Sequence, residues 1–177
     1  GYEQRSLRWS RIKEAMWLRK PTSPKTGRSG GRVWFIVIPL IVAYALMQEA
    51  GLPAPASRDL GAFLQSDAGK SFFDGAWGIF ALFMVMSVFN TVFGEELLFR
   101  GVLLPRMQDA FGERDWVANG VLFAVYHLHV PWAVTNALLD GPMHAWFAKR
   151  YRSAWISIIV HSAQTVVIGL IVLSVVA

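Results

Sequence analysis

The chain contains no cysteine, which excludes disulfides, a thiolate nucleophile and any cysteine-type zinc site. It leaves the redox compartment open, since a chain without thiols is indifferent to it. Charge is also scarce: 16% of residues are Asp, Glu, Lys or Arg, against about 25% in ordinary soluble domains. Nine of the Lys and Arg residues lie between Gly1 and Arg32, where the only acids are Glu3 and Glu14. No groove-reading motif accompanies that basic block, so the net charge of +5 does not point to nucleic acid. Beside an apolar run it reads instead as a positive-inside signal that also attracts anionic headgroups. No internal repeat and no HExxH pair is present.

Apolar residues are what the chain has in abundance: 54% of it, with a mean hydropathy of +0.39. At 177 residues it is one domain by length. Together these predict an all-α fold, a polytopic transmembrane helix bundle of about five spans around a central intramembrane active-site cavity. The division expected is a basic juxtamembrane segment and linker over 1–31, then a transmembrane helical domain over 32–177. Gly1 is not an initiator methionine, which fits a processed chain or part of a longer one.

Taken in order, Arg5 to Lys20 can form a basic interfacial helix with Trp9, Ile12 and Met16 on one side. Pro21 to Gly31 reads as a flexible linker from its Pro, Gly and Ser content. Val33 to about Leu52 is the first span, with Pro39 expected to kink it. Gly51 to Gly75 reads as an exposed loop with a short helix over 57–64. Trp77 to about Leu104 is a second helix of about 40 Å, longer than a hydrocarbon core of about 30 Å. Arg106 to Asp115 is a polar connection. Trp116 to Val130 is the third helix, stopped by Pro131, and Trp132 to Phe147 the fourth, interrupted at Asp140-Gly141-Pro142. Ala154 to Val176 is the fifth. Basic residues fall on one side of this arrangement and Trp34, Trp77, Trp116, Trp132 and Trp155 open the five runs, so the N-terminus is placed in the cytoplasm. The compact size points to a bacterial cell membrane.

The chemistry concentrates at Gly94-Glu95-Glu96-Leu97-Leu98-Phe99-Arg100, two carboxylates and a guanidinium at the end of an apolar run. Charges there are costly and normally paired or functional. Glu96 and Arg100, four apart, can pair on one face. Glu95 points elsewhere and must find its partner on another helix. The third helix offers Asn119, Phe123 and His127 on one stripe. The fifth offers His161 and Thr165, with Gln164 beside them. A Glu–His pair in a low-dielectric cavity can remove a proton from water. A second His with a neighbouring hydroxyl or amide can stabilise the developing oxyanion. This points to an intramembrane enzyme built from Glu95, His127 and His161. Tyr126 and Asn119 are supporting candidates, while His129 is read as interfacial and His144 as structural.

These residues resemble the CAAX prenyl protease and bacteriocin-processing family, also called ABI, which includes the type II CAAX prenyl endopeptidases. Its pattern is EExxxR, FxxxH and HxxxN. Here it reads Glu95-Glu96-Leu-Leu-Phe-Arg100, Phe123-Ala-Val-Tyr-His127 and His161-Ser-Ala-Gln-Thr165, over a core of about 77–176. The resemblance implies that Glu95 and His127 activate water, that His161 and Thr165 form the oxyanion site, and that Arg100 pairs structurally with Glu96. Thr165 stands where many members carry Asn, with Gln164 as a neighbouring donor. It further implies a metal-independent peptidase without cofactor, acting on a prenylated or leader-bearing peptide or protein. Two alternatives keep the same cavity. One is a zinc-dependent peptidase, since two His and a Glu form a zinc-like set. The other is a non-catalytic scaffold or bacteriocin-immunity-type protein. A proton-coupled transporter is a third alternative, disfavoured by the absence of an inverted repeat.

Overall fold

The computed structural model describes residues 8–177. Arg5, where the basic interfacial helix was expected to begin, lies outside the described residues. Within them that helix is α1, Trp9–Ala15. The next residues are folded back rather than left as a free linker. The Ala154 amide donates to Trp17 O, the Thr22 amide to Tyr151 O and the Ser153 hydroxyl to Arg19 O. These bonds fasten the segment across the turn that follows Tyr151, and an isolated antiparallel bridge joins Thr22 to Ser29.

A 3₁₀ stretch, Gly31–Ile36, leads into α2, Val37–Gln48. Proline at 39 has no amide to donate to its own i−4 carbonyl, Phe35, so the tighter winding before it and the α-helix after it meet within that turn. The stretch over 51–75, expected as a loop with a short helix over 57–64, holds two helices: α3 (Leu60–Gln65), close to the expected one, and α4 (Asp67–Phe73), which was not expected. Asp59 caps the first by accepting from the Ala62 amide and Ser66 caps the second by accepting from the Gly69 amide. Leu64 and Phe73 then bury against Val172 and Val176.

The second long helix starts as α5, Trp77–Val88, and continues as a π-helix, Phe89–Leu103. After it come the short α6 (Gln108–Phe111), α7 (Asp115–Tyr126), α8 (Val134–Tyr151) and α9 (Ala154–Val176). The α-helical part of the third element therefore ends at Tyr126 instead of Val130. Residues 127–129 wind as a 3₁₀ turn, and Val130 is extended (φ −128°, ψ 73°) ahead of Pro131. The break expected at Asp140-Gly141-Pro142 does not occur. α8 runs through Pro142, whose ring lies on the glycine surface of α7: a Cβ at Gly120 would stand 2.4 Å from Pro142 N. Tight packing of this small-residue crossing offsets the about 3 kcal/mol that an interior proline costs.

Among the described residues, three stretches are long and apolar enough to cross a membrane: Gly31–Gln48, Trp77–Arg106 and Ala154–Val176. α7, with 12 residues, is shorter than the about 20 that a span requires. It pairs with α8 inside the bundle. The protein is thus an all-α membrane protein. Among the described residues, four small clusters of buried side chains hold it together. Leu40, Tyr44, Ile156 and Val160 join α2 to α9, and Phe99, Phe123, Ala124 and Ala137 join the π-helix to α7 and α8. Leu82, Val85 and Phe89 stay largely exposed on the outer face of the second long helix, as a lipid-facing surface requires.

Candidate active site

The π-helix carries both carboxylates inward. Glu95, Glu96 and Arg100 are all buried, the last two completely. Arg100 Nη1 donates to Glu96 Oε1 at 3.2 Å, the i,i+4 pair expected from spacing. Its other terminal nitrogen donates to the Gly141 carbonyl at 3.0 Å, and the guanidinium lies 4.2 Å from the Phe123 ring centroid. Arg100 is thus clamped on three sides by the π-helix, α7 and α8. Such a charge, away from water, is kept by its partners or not at all.

Glu95 looks the other way, toward two imidazoles. Its Oε1 is 3.7 Å from His127 Nε2, and its Oε2 is 3.6 Å from His161 Nε2. His161 Nδ1 is 2.8 Å from Glu96 Oε1. One ring therefore spans the two adjacent carboxylates. His127 is held by its other nitrogen, Nδ1, at 2.9 Å from the Phe123 carbonyl. A carbonyl can only accept, so Nδ1 carries a hydrogen and neutral His127 offers a lone pair at Nε2. Phe123 packs its ring against His127 (4.6 Å between centroids) as well as against Arg100, which orients both.

The remaining expected residues are placed as follows. Thr165 Oγ1 is 3.2 Å from Thr91 Oγ1 and lines the same cleft as Glu95. Gln164 turns its amide toward α2: Tyr44 donates to its Oε1 at 2.7 Å, and its Nε2 donates to Gln48 at 3.3 Å. Asn119 is fully buried and donates to the Phe99 carbonyl at 2.9 Å, tying α7 to the π-helix. It supports the site without facing the cleft. His129 is exposed, with its Nδ1 at 2.9 Å from the Tyr126 carbonyl.

Several contributors were not anticipated. Asn90 Nδ2 donates to Glu95 Oε1 at 2.7 Å, making it the shortest contact of the central carboxylate. Behind His161 lies a second polar layer, in which Gln48 Nε2 donates to Asp140 Oδ2 at 2.9 Å and His144 sits buried with its ring 5.6 Å from that of His161. The signal that could have found this layer is Asp140 and His144, four apart on a helix also carrying Ala137, Gly141 and Ala145.

Glu95, His127, His161 and Thr165 meet at the floor of a cleft of about 540 Å³ between α5 with its π-helical continuation and α9. Leu60, Phe83, Met86 and Ile168 form its apolar walls. No cluster of three or more His, Asp or Glu side chains suited to holding a metal ion occurs among the described residues. Chemically, the cleft offers a carboxylate and an imidazole lone pair facing each other, with a second imidazole and a hydroxyl opposite. That set suits water activation beside a polarised carbonyl.

The family model for Rce1-like type II CAAX prenyl endopeptidases matches residues 77–167, just over half of the chain and every residue of the cleft floor. No curated protein and no solved structure matches the chain.

Proposed function

The chain belongs to the Rce1-like family of type II CAAX prenyl endopeptidases, and from that premise we propose a glutamate-dependent hydrolysis of a membrane-proximal peptide bond. The observation that carries the reading is Glu95, whose two oxygens face His127 and His161 at 3.7 and 3.6 Å. Neither distance is a direct hydrogen bond. Glu95 Oε1 and His127 Nε2 are both acceptors, and a water molecule between them can donate one hydrogen to each.

In the attack, the water oxygen bonds to the peptide carbonyl carbon while Glu95 takes one of its protons. Negative charge moves to the carbonyl oxygen, where His161 Nε2 and the Thr165 hydroxyl donate. Nδ1 of His161 already donates to Glu96, so donation from Nε2 requires the imidazolium. Charge balance on the cleft side of His161 supports that state: Glu95 and Glu96 against Arg100 leave one negative charge, which the imidazolium neutralises. The intermediate then collapses, the C–N bond breaks, and the proton held by Glu95 passes to the leaving amine. The second proton of the water, still on the new carboxyl group, passes through His127 to the amine, so the products are a carboxylate and an ammonium with Glu95 and His127 restored. No metal enters these steps.

The substrate class proposed is a peptide or protein at the bilayer, prenylated or leader-bearing, presented to a cell membrane enzyme whose N-terminus faces the cytoplasm. The apolar cleft walls and the basic N-terminal block support that placement. The test is cleavage of prenylated and unmodified peptides by the nanodisc-embedded protein, with and without a chelator. Wild-type cleavage that survives the chelator and disappears in Glu95→Gln and His127→Ala supports the mechanism. Loss of cleavage on chelation would replace it with the zinc-dependent alternative. A folded wild type that cleaves nothing would favour the non-catalytic scaffold, in which the Thr165 hydroxyl simply bonds Thr91.

A further inference from the structure

A cavity of about 760 Å³, larger than the catalytic cleft, is separate from it. It lies at the start of the first span, between the Thr22–Ser29 hairpin and the entry to α2. Its two ends differ in chemistry. Ser23, Thr26, Arg28 and Arg32 line one end, and Phe35, Ile36 and Pro39 line the other. No acidic residue lines it at all. Neither guanidinium is paired with a carboxylate among the described residues.

Local winding explains this gradient. In a 3₁₀ stretch, residues three apart eclipse one another, so Arg32 stands directly above Phe35 on one face. Four residues on, in the α-helix, Pro39 continues the same stripe. A charged head followed by an apolar strip thus runs along the surface of a span, from its mouth toward the bilayer interior. Phe35 is 66% exposed there. On the other side the hairpin keeps Arg28 at the mouth, because Arg28 O accepts from the Ser23 amide and the hairpin is closed by the Thr22 and Ser29 hydroxyls at 2.8 Å. The Thr22 amide in turn anchors the hairpin to Tyr151, which is itself part of the wall.

We propose that this cavity is a binding site for one anionic phospholipid, with its phosphate between Arg28 and Arg32 and its glycerol and upper acyl chain along Phe35, Ile36 and Pro39. Arginine suits the role because its planar fork binds phosphate oxygens in pairs. The absence of any carboxylate selects an anionic headgroup over a zwitterionic one, whose ammonium would find no partner. The apolar half of the cavity distinguishes a lipid from a free phosphate. Because the hairpin is bonded to Tyr151 and the same segment to Ala154, an occupied site braces the turn from which α9 carries His161. The site stands on the geometry of the hairpin, the first span and Tyr151, and is independent of the proposed peptidase chemistry.

The experiment is native mass spectrometry of the full chain in detergent, titrated with dioleoyl phosphatidylglycerol, with dioleoyl phosphatidylcholine, or with inorganic phosphate as competitor. Wild type is expected to bind one phosphatidylglycerol tightly, phosphatidylcholine at least tenfold more weakly, and to lose no lipid to millimolar phosphate. Arg28→Gln/Arg32→Gln should weaken phosphatidylglycerol about 30-fold, at roughly 1 kcal/mol per basic residue. Arg58→Gln/Lys70→Gln, two basic residues removed elsewhere, should leave it unchanged. A thermal unfolding profile like that of wild type shows that the cavity variant is folded. If that variant unfolds instead, Phe35→Ala is the readout, and it should weaken the dioleoyl lipid while leaving a dihexanoyl analogue unaffected. Equal binding of both headgroups, equal losses in the two double variants, or displacement by inorganic phosphate would overturn the proposal.

Discussion

Glu96 Oε1 and His161 Nδ1 meet at 2.8 Å, and through that contact a fully buried ion pair becomes the support of the cleft floor. The two adjacent carboxylates consequently have separable roles. Glu95→Gln removes a proton acceptor while keeping its shape, so activity should fall about 10³-fold with thermal unfolding nearly unchanged. Glu96→Gln instead strands Arg100 without a counter-charge and should destabilise the protein by about 3–5 kcal/mol. Glu96→Gln/Arg100→Met should regain most of that stability without activity, since His161 still lacks its orienting carboxylate. Parallel melting curves and peptide cleavage for the three variants check this. A stable Glu96→Gln protein would show that the pair is not what holds Arg100.

Asn90 provides a second test, because only the wide winding of the π-helix brings it to Glu95. The charge-assisted bond between them should be worth about 1.5–3 kcal/mol where it positions the base. Asn90→Ala should therefore lower kcat at least tenfold with KM unchanged, since Asn90 acts through Glu95 and not on substrate. Asn90→Asp should do worse, by exchanging a donor for a like charge. A change confined to KM would place Asn90 in substrate binding instead.

That residue also shows where the sequence stops being legible. At 100° per residue, five positions separate Asn90 from Glu95 by about 140° around an α-helix, on nearly opposite faces. Hydrogen bonds of the i→i+5 type gather such residues together, and no composition rule announces them. Pairs four apart survive either winding, so Glu96 with Arg100 could be read directly from spacing. α9 was equally plain, 23 residues without Asp, Glu, Lys or Arg and a basic turn before it. The path of α8 through Pro142 was hidden because its compensation comes from Gly120, on another helix. The second of the two helices over 60–73 was hidden for a similar reason, since Phe73 finds its apolar anchors in Val172 and Val176 about a hundred residues later.

Thr165 should prove to be a donor in the reaction and not merely the partner of Thr91. Removing one oxyanion donor costs about 10²–10³ in rate. Thr165→Val keeps the volume and should lower kcat by about 10² without moving KM. Thr91→Val removes only the contact between the two hydroxyls, 3.2 Å apart, and should leave kcat within about threefold. Thr165→Asn, which restores the commoner family pattern, should retain at least wild-type kcat. Equal losses from the two valine variants would reduce Thr165 to a structural partner of Thr91.

The crossing of α7 and α8 is the most exacting prediction, because both helices serve the site from one contact. α7 delivers His127, and α8 delivers the Gly141 carbonyl that holds Arg100 at 3.0 Å. At their closest approach, a Cβ on Gly120 would lie 2.4–2.5 Å from Pro142 N, Cδ and Cγ. Neither backbone nor a proline ring can swing aside, so the helices must separate. Gly120→Ala should then cost about 3 kcal/mol, the upper end of overpacking, and lower the unfolding midpoint by about 6–12 °C. Gly78→Ala is the control: a Cβ there meets nothing within 4 Å, and alanine favours the helix. Prying the helices apart also moves Phe123, which touches both His127 and Arg100, so Gly120→Ala should lose activity well below its melting temperature. A Gly120→Ala protein with wild-type stability and activity would mean that α7 and α8 do not approach this closely, and that Arg100 and His127 are held by something other than their crossing.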